Sequence, residues 1–193
     1  MGGWILGIVR ATALAFSVVC LAAPSVRAAQ IEGVEFADRY EWSGVQLRLN
    51  GVGLLRYRIF LKGYVAALYL GEEVGAERAL ADVPRRLEIE YFWSIPAGVF
   101  AKATRDGISR NVDPATVARI GDQIDQLNRL YEDVAPGDRY ALTYVPGVGT
   151  ELALNGESLG VVEGVDFSAA LFAIWLGEQP LDEPLRDRLL AWR

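Results

Sequence analysis

A chain of 193 residues that is 52% hydrophobic can bury one sizeable core. It has no histidine and a single cysteine, Cys20, which excludes Ser-His-Asp triads, Cys-His pairs, zinc sites and thiol redox chemistry. Its net charge of −6, with no basic run, makes it a poor partner for nucleic acid.

The N-terminus holds part of that hydrophobicity. The apolar run 11–23 (ATALAFSVVCLAA) follows Arg10 and precedes Pro24 and Val26-Arg27-Ala28-Ala29. Charged, apolar and small residues in that order make a secretory signal peptide, cut after Ala28 with Val26 at the −3 position. An uncleaved anchor is the alternative, but the run is shorter than the roughly 20 residues that span a bilayer. Val19 before Cys20 is not the small residue that lipid attachment wants. Loss of residues 1–28 removes Cys20, Arg10 and Arg27, leaving 17 basic against 25 acidic residues and a net charge of −8. The expected product, 29–193, is a periplasmic or secreted domain that no longer spans a membrane and binds no metal or cofactor.

Along the mature chain, Ile31–Trp42 reads as an extended entry segment before Ser43-Gly44. Val45–Asn50 (VQLRLN) alternates and predicts a strand, ended by a turn at Gly51 and Gly53. The following run, to Leu70, is apolar except for Arg56, Arg58 and Lys62. With a period of two, Leu55, Tyr57, Ile59 and Leu61 share one face. Leu54, Arg56, Arg58, Phe60 and Lys62 share the other, with Tyr64 of the same parity. Ala76–Asp82 suits a short helix stopped by Pro84. Arg86–Trp93 predicts a strand with Leu87, Ile89 and Tyr91 on one face and Glu88, Glu90 and Phe92 on the other.

Helical signals then take over. Pro96 opens a segment through Asn111 with Val99, Phe100, Ala103, Thr104 and Ile108 near helical spacing. Asp113-Pro114 is an N-cap followed by proline at the first helical position. One helix behind it carries Val117, Ile120, Ile124, Leu127 and Leu130 on one stripe. Asp122 and Asp125 on its far face, with no histidine or ligand loop, read as a solvated surface and not a metal site. Pro136-Gly137-Asp138 leads into strand 139–145, and Pro146–Gly149 turns the chain again. Strands 150–154 and 157–163 pair about Asn155-Gly156, a two-residue hairpin signal. Helices Asp166–Leu176, stopped by Gly177, and Pro184–Trp192 complete the chain. Strands and helices come in blocks, so the class is α+β: an antiparallel sheet with helices on one face. The Gly-x-Gly pairs at 51–53 and 147–149 precede strands, where a nucleotide loop needs a helix, so both read as turns.

Three pieces in this order, LNGVGLLRYR…KGYVAALYL, PGDRYALTYVPGVGTELALNG and VDFSAALFAIWLGEQPLDEPLRDRLL, resemble the chalcone isomerase-like family, in its bacterial, signal-peptide-bearing branch. The resemblance covers about residues 31–192 and implies an open-faced β-sandwich, a large antiparallel sheet carrying a layer of helices. In the plant enzymes of the family, a 2′-hydroxychalcone closes to a flavanone. An arginine after the Gly-x-Gly turn stabilises the phenolate, and Thr, Tyr and Asn organise the carbonyl end. Arg56 looks like that arginine. The threonine position falls on Tyr64, the tyrosine and asparagine positions on Phe100 and Gly107, and Ser168 matches a small hydroxyl residue on the later helix. The cation is kept and the carbonyl-activating donors are lost; single donors of this kind are worth about 2.7–4 kcal/mol each.

The resemblance therefore implies a non-catalytic binder of a small amphiphilic acid, fatty-acid-like or phenolic, with Arg56 as anion anchor and Tyr64, Phe100 and Ser168 lining the cleft. An intramolecular lyase using Arg56 as electrostatic catalyst is the first alternative. A structural or interaction protein of the envelope is the second. For Arg56, Arg58 and Lys62 a solvated sheet face competes with the ligand role, and for Tyr64, Phe100 and Ser168 core packing does. Geometry adds a condition: on one straight strand Arg56 and Tyr64 lie about 26 Å apart at ~3.3 Å per residue. A bend near Gly63, or a tight turn around Ile59–Lys62, is needed before they share a site.

Overall fold

The computed structural model describes residues 28–57 and 61–191. The expected leader up to Arg27, Arg58 and Trp192 lie outside them. Nine strands and five α-helices, with one 3-10 turn at Ala76–Arg78, follow in the described residues.

The entry segment is three short strands: β1 (Ala28–Ile31), β2 (Val34–Ala37) and β3 (Arg39–Trp42). The first two form their own hairpin through Glu32-Gly33, both at positive φ, and β3 joins the main sheet. That sheet has seven strands in the order β3-β4-β5-β6-β7-β8-β9, each antiparallel to its neighbours. Its members are β4 (Val45–Tyr57), β5 (Leu61–Gly71), β6 (Arg85–Tyr91), β7 (Arg139–Val145), β8 (Gly149–Leu154) and β9 (Glu157–Val162). The β8–β9 hairpin turns through Asn155 (φ 52°) and Gly156 (φ 88°), as its Asn-Gly pair predicts.

Alternation splits the sheet into two faces. Tyr64, Ala66, Leu68 and Leu70 of β5 join Leu87, Ile89 and Tyr91 of β6 in the larger core, beneath the helices. Val65, Ala67 and Tyr69 face the other way, with Leu47, Leu49 and Val52, and are covered by Ala29, Val34 and Phe36 of the β1–β2 hairpin. The architecture is thus the large antiparallel sheet with a helical layer expected from the sequence. The second face also carries a small β cover.

Two sequence expectations change here. The first Gly-x-Gly pair is not a turn: β4 runs through it for 13 residues. Asn50 is the extra residue of a bulge, since Leu49 pairs with Tyr69 and Gly51 already with Leu68. The glycines are there because helix α5 (Glu183–Leu190) lies on them. A Cβ on Gly51 would sit 2.2 Å from the Arg188 carbonyl oxygen, and one on Gly53 2.5 Å from Leu185 Cδ1. The Asn50 amide donates to the Leu189 carbonyl at 2.7 Å and pins the same contact.

The helix expected behind Asp113 is two. Asp113 caps α2 (Pro114–Arg119), accepting from the Ala115 and Thr116 amides. Ile120 then leaves helical geometry (φ −99°, ψ 13°) while its side chain stays buried, and α3 (Gly121–Asn128) restarts at a glycine, a poor helix former. Helices α1 (Ala97–Asn111) and α4 (Val165–Leu176) cross where Gly107 gives room: a Cβ there would lie 2.9 Å from Ile174 Cγ1.

Candidate ligand cavity

Between β5–β8 and the helical layer lies a cavity of about 180 Å³. The sheet side is Tyr64, Leu87, Ile89, Tyr91, Tyr140, Leu142 and Leu152; Ile95, Phe100, Thr104, Tyr131, Ile174 and Trp175 line the other side, with the exposed Val99 and Leu181 at its edge. Among the described residues, no lysine, arginine, aspartate or glutamate lines it. Its framework is aromatic. Phe100 stacks on Tyr131 with centroids 5.4 Å apart, and sits edge-on to Tyr91 and Tyr140 at 5.3 Å each. Tyr91 is edge-on to Tyr64 at 5.7 Å. Such pairs contribute roughly 0.5–1.5 kcal/mol each beyond the area they bury.

The polar atoms are hydroxyls. Trp175 Nε1 donates to the Tyr64 hydroxyl at 2.9 Å, and the Thr104 and Tyr131 hydroxyls pair at 2.8 Å. The Tyr140 hydroxyl is spent outside, donating to the Glu132 carbonyl and accepting from its amide. The Tyr91 hydroxyl has no hydrogen-bond partner among the described residues. Burial raises the pKa of Tyr64 and Tyr91 well above the ordinary phenol value and pushes Tyr131 up to about 12. The cavity therefore offers neutral donors at any physiological pH.

A second, open space adjoins it: a groove of about 330 Å³ bounded by Leu55, Leu61, Gly63, Tyr64, Trp93 and Ile95. Leu61 and Trp93 are exposed on its rim, and the Trp93 indole N–H is held by the Lys62 carbonyl at 2.6 Å.

Of the sequence candidates, Tyr64 and Phe100 meet in the cavity and Arg56 and Ser168 do not line it. The tight-turn condition is met, because β4 and β5 form a hairpin in which Leu55 pairs with Tyr64. Parity, however, misplaces the donors. Arg56 pairs with Lys62, so Gly63 is a bulge residue that reverses the alternation. Tyr64 points with Leu55 under the helices, while Arg56 and Lys62 turn to the other face and meet Glu32 in the β1–β2 turn, Arg56 at 3.6 Å and Lys62 at 2.5 Å. That bond to Lys62, helped by the Lys62 and Arg56 charges, holds the Glu32 carboxyl below its usual pKa against the opposing effect of burial.

Ser168 is fully buried and accepts from Arg85 Nη2 at 2.7 Å. Arg85 is itself 0% exposed; it also donates to the Ala79 and Ala81 carbonyls and lies 4.5 Å from the Tyr144 ring centroid and 4.7 Å from that of Phe172. Burial lowers its pKa to about 10, so it remains a cation at neutral pH. The sequence carried a signal for this residue. Arg85 has the parity of Leu87, Ile89 and Tyr91, which makes it a charge on an apolar face. Tyr91, Thr104 and Ile108 were likewise legible as inward-facing, but Tyr131, Tyr140 and Trp175 reach the cavity from elements distant in sequence.

A large sheet with helices on one face and an aromatic-walled cavity between the layers defines an open-faced β-sandwich. The chalcone isomerase-like family model matches residues 28–191, and the chain belongs to that family. Among solved structures, the fatty-acid binding protein AtFAP1 of Arabidopsis thaliana is similar in fold, with a TM-score of 0.67 at 15% identity over 85% of this chain and 96% of that one. No curated protein matches the chain in sequence. Among the described residues, no group of three or more His, Cys, Asp or Glu side chains could hold a metal ion, and no helix is long and apolar enough to cross a membrane.

Proposed function

We propose that the chain is a non-catalytic binder of a small amphiphilic ligand, phenolic or fatty-acid-like, whose apolar end occupies the cavity. The observation that carries this reading is an apolar, aromatic-walled cavity whose polar groups are neutral hydroxyls and which, among the described residues, contains no acid, base or nucleophile for chemistry at neutral pH. The fatty-acid binding neighbour supports the ligand class. The intramolecular-lyase reading is less well supported. Arg56, the cation that reading needs, does not line the cavity.

Arg56 keeps its proposed role as anion anchor in a changed position. Arg56 and Lys62 each adjoin a groove residue, Leu55 and Leu61, and a carboxylate leaving the groove would compete with Glu32 for them. Purified protein is titrated with a medium-chain carboxylic acid and with its methyl ester. Arg56→Ala is expected to weaken the acid about tenfold or more, the size of a charge-assisted hydrogen bond, and to leave the ester unchanged. Equal affinities for the acid in wild type and variant would overturn the anchor. The N-terminal apolar run supports export to the periplasm or secretion, checked by the N-terminal sequence of the exported protein, expected to begin at Ala29.

A further inference from the structure

The hydroxyls of the cavity are not equally committed. Tyr140 spends its own on the Glu132 carbonyl and amide, and those of Thr104 and Tyr131 bond each other. Tyr64 accepts from Trp175, with its own proton unspent among the described residues. Tyr91 is the extreme case. It lines the cavity and is 5% exposed, yet its hydroxyl makes no hydrogen bond among the described residues. Its ring is firmly placed, edge-on to Tyr64, Phe100 and Tyr140 with centroids 5.7, 5.3 and 6.1 Å apart. Burial above all, with the neighbouring Tyr64, Tyr131 and Tyr140 hydroxyls, keeps its proton on at any physiological pH. A fixed, neutral donor thus stands in a largely apolar wall.

We infer that the Tyr91 hydroxyl reads a neutral oxygen, a phenol hydroxyl or a carbonyl, on the cavity end of the ligand. This rests on the binding role proposed above and adds a second polar group to the ligand, at the end away from its acid. A wholly hydrocarbon end would cover the Tyr91 hydroxyl and strand a buried donor, which costs at least as much as one hydrogen bond contributes. An oxygen in the same place takes the proton, and the unspent Tyr64 proton is a further donor in the same cavity. A carboxylate does not suit this end, because among the described residues no cation lines the cavity to offset its charge. Tyr91 lies on β6 and is none of the positions, Tyr64, Phe100 and Gly107, on which the carbonyl-organising groups of the plant enzymes fall.

The test is a calorimetric titration of the purified protein with 4-phenylbutanoic acids that differ only at the para position. Hydroxyl is compared with methyl, and acetyl with isopropyl, each pair being nearly equal in size. The carboxyl end is common, so any contact with Arg56 cancels from the ratio within a pair. In the wild type the oxygenated member of at least one pair is expected to bind about three- to tenfold tighter, the worth of one neutral hydrogen bond. A gain confined to the first pair identifies a phenol, and one confined to the second a carbonyl. Tyr91→Phe keeps the ring and should bring that ratio to one or below. Its urea midpoint should match the wild type, since the hydroxyl it removes makes no bond within the fold. Tyr144→Phe, which removes a hydroxyl bonded to Asp82 away from the cavity, should keep the wild-type ratio. Hydrocarbon members that bind as tightly as the oxygenated ones, or a ratio that survives Tyr91→Phe, overturn the role of Tyr91 alone. So does a Tyr91→Phe variant of lowered stability, because the hydroxyl would then serve the fold. Absence of binding by all four acids in the wild type overturns the binding reading, and the role of Tyr91 with it.

Discussion

At the scale of single residues, the two polar side chains that the sequence nominated for the cleft are committed elsewhere. Ser168 is a partner of a buried cation. Its hydroxyl takes one Arg85 N–H while the Ala79 and Ala81 carbonyls take others, and the rings of Tyr144 and Phe172 both lie against the guanidinium. This charge, with no exposed surface, depends on the bonds its Nη1 and Nη2 do make, because its Nε is buried with no hydrogen-bond partner among the described residues. Ser168→Ala removes one acceptor of a charged donor and is expected to lower unfolding free energy by about 2 kcal/mol in urea titration. Ligand affinity should not change, because Ser168 does not line the cavity. A loss of affinity without a loss of stability would return Ser168 to the ligand. Arg56 is committed more lightly: half-exposed and 3.6 Å from Glu32, it is the kind of surface pair worth at most about 1 kcal/mol, which leaves it available to a competing carboxylate.

At the scale of elements, small residues decide where layers can touch. Gly51 and Gly53 let α5 lie against β4, and Gly107 lets α1 lie against α4 beside Ile174, a cavity residue. The Gly-x-Gly pair is therefore a packing device inside a strand. In Gly51→Ala the new Cβ meets backbone atoms of Arg188 and Leu189, which cannot rotate away as a side chain tip would. The cost is expected at about 2–3 kcal/mol, read as a lower thermal midpoint, with α5 displaced and the Asn50 bond to Leu189 weakened. Period-two reading recovered β6, β7, β8 and β9 because those strands alternate regularly or end at strong turn signals. It failed across Asn50 and Gly63, where a bulge inserts one residue and exchanges the faces of everything beyond it. A bulge leaves no mark in composition, and glycine at 63 was legible only as a bend.

At the scale of the whole molecule, the aromatic cluster couples cavity, sheet and helices, and it sets how the fold responds to base. Burial holds Tyr131 protonated up to about 12, whereas the unfolded phenol titrates near 10.0. Between those values the folded chain keeps a proton that the unfolded chain releases, so stability is fully present below pH 10 and falls as pH rises towards 12. Tyr64 and Tyr91 are shifted the same way and add to the loss. With no histidine to titrate, the urea midpoint is expected to be flat from pH 7 to 9 and to drop between pH 10 and 11.5. A flat profile to pH 12 would mean that these hydroxyls are not held in the folded interior. The chain by itself determined the α+β class, strands β6 to β9, helices α1, α4 and α5, and the family, because each is written in local periodicity, turn chemistry and motif order. Only the tertiary structure decided that Tyr64 faces the cavity while Arg56 and Lys62 face Glu32, that Ser168 serves Arg85, and that Tyr131, Tyr140 and Trp175 complete the wall. The physical reason is that facing depends on bulges, and a cavity depends on which distant elements pack, and neither is a property of neighbouring residues.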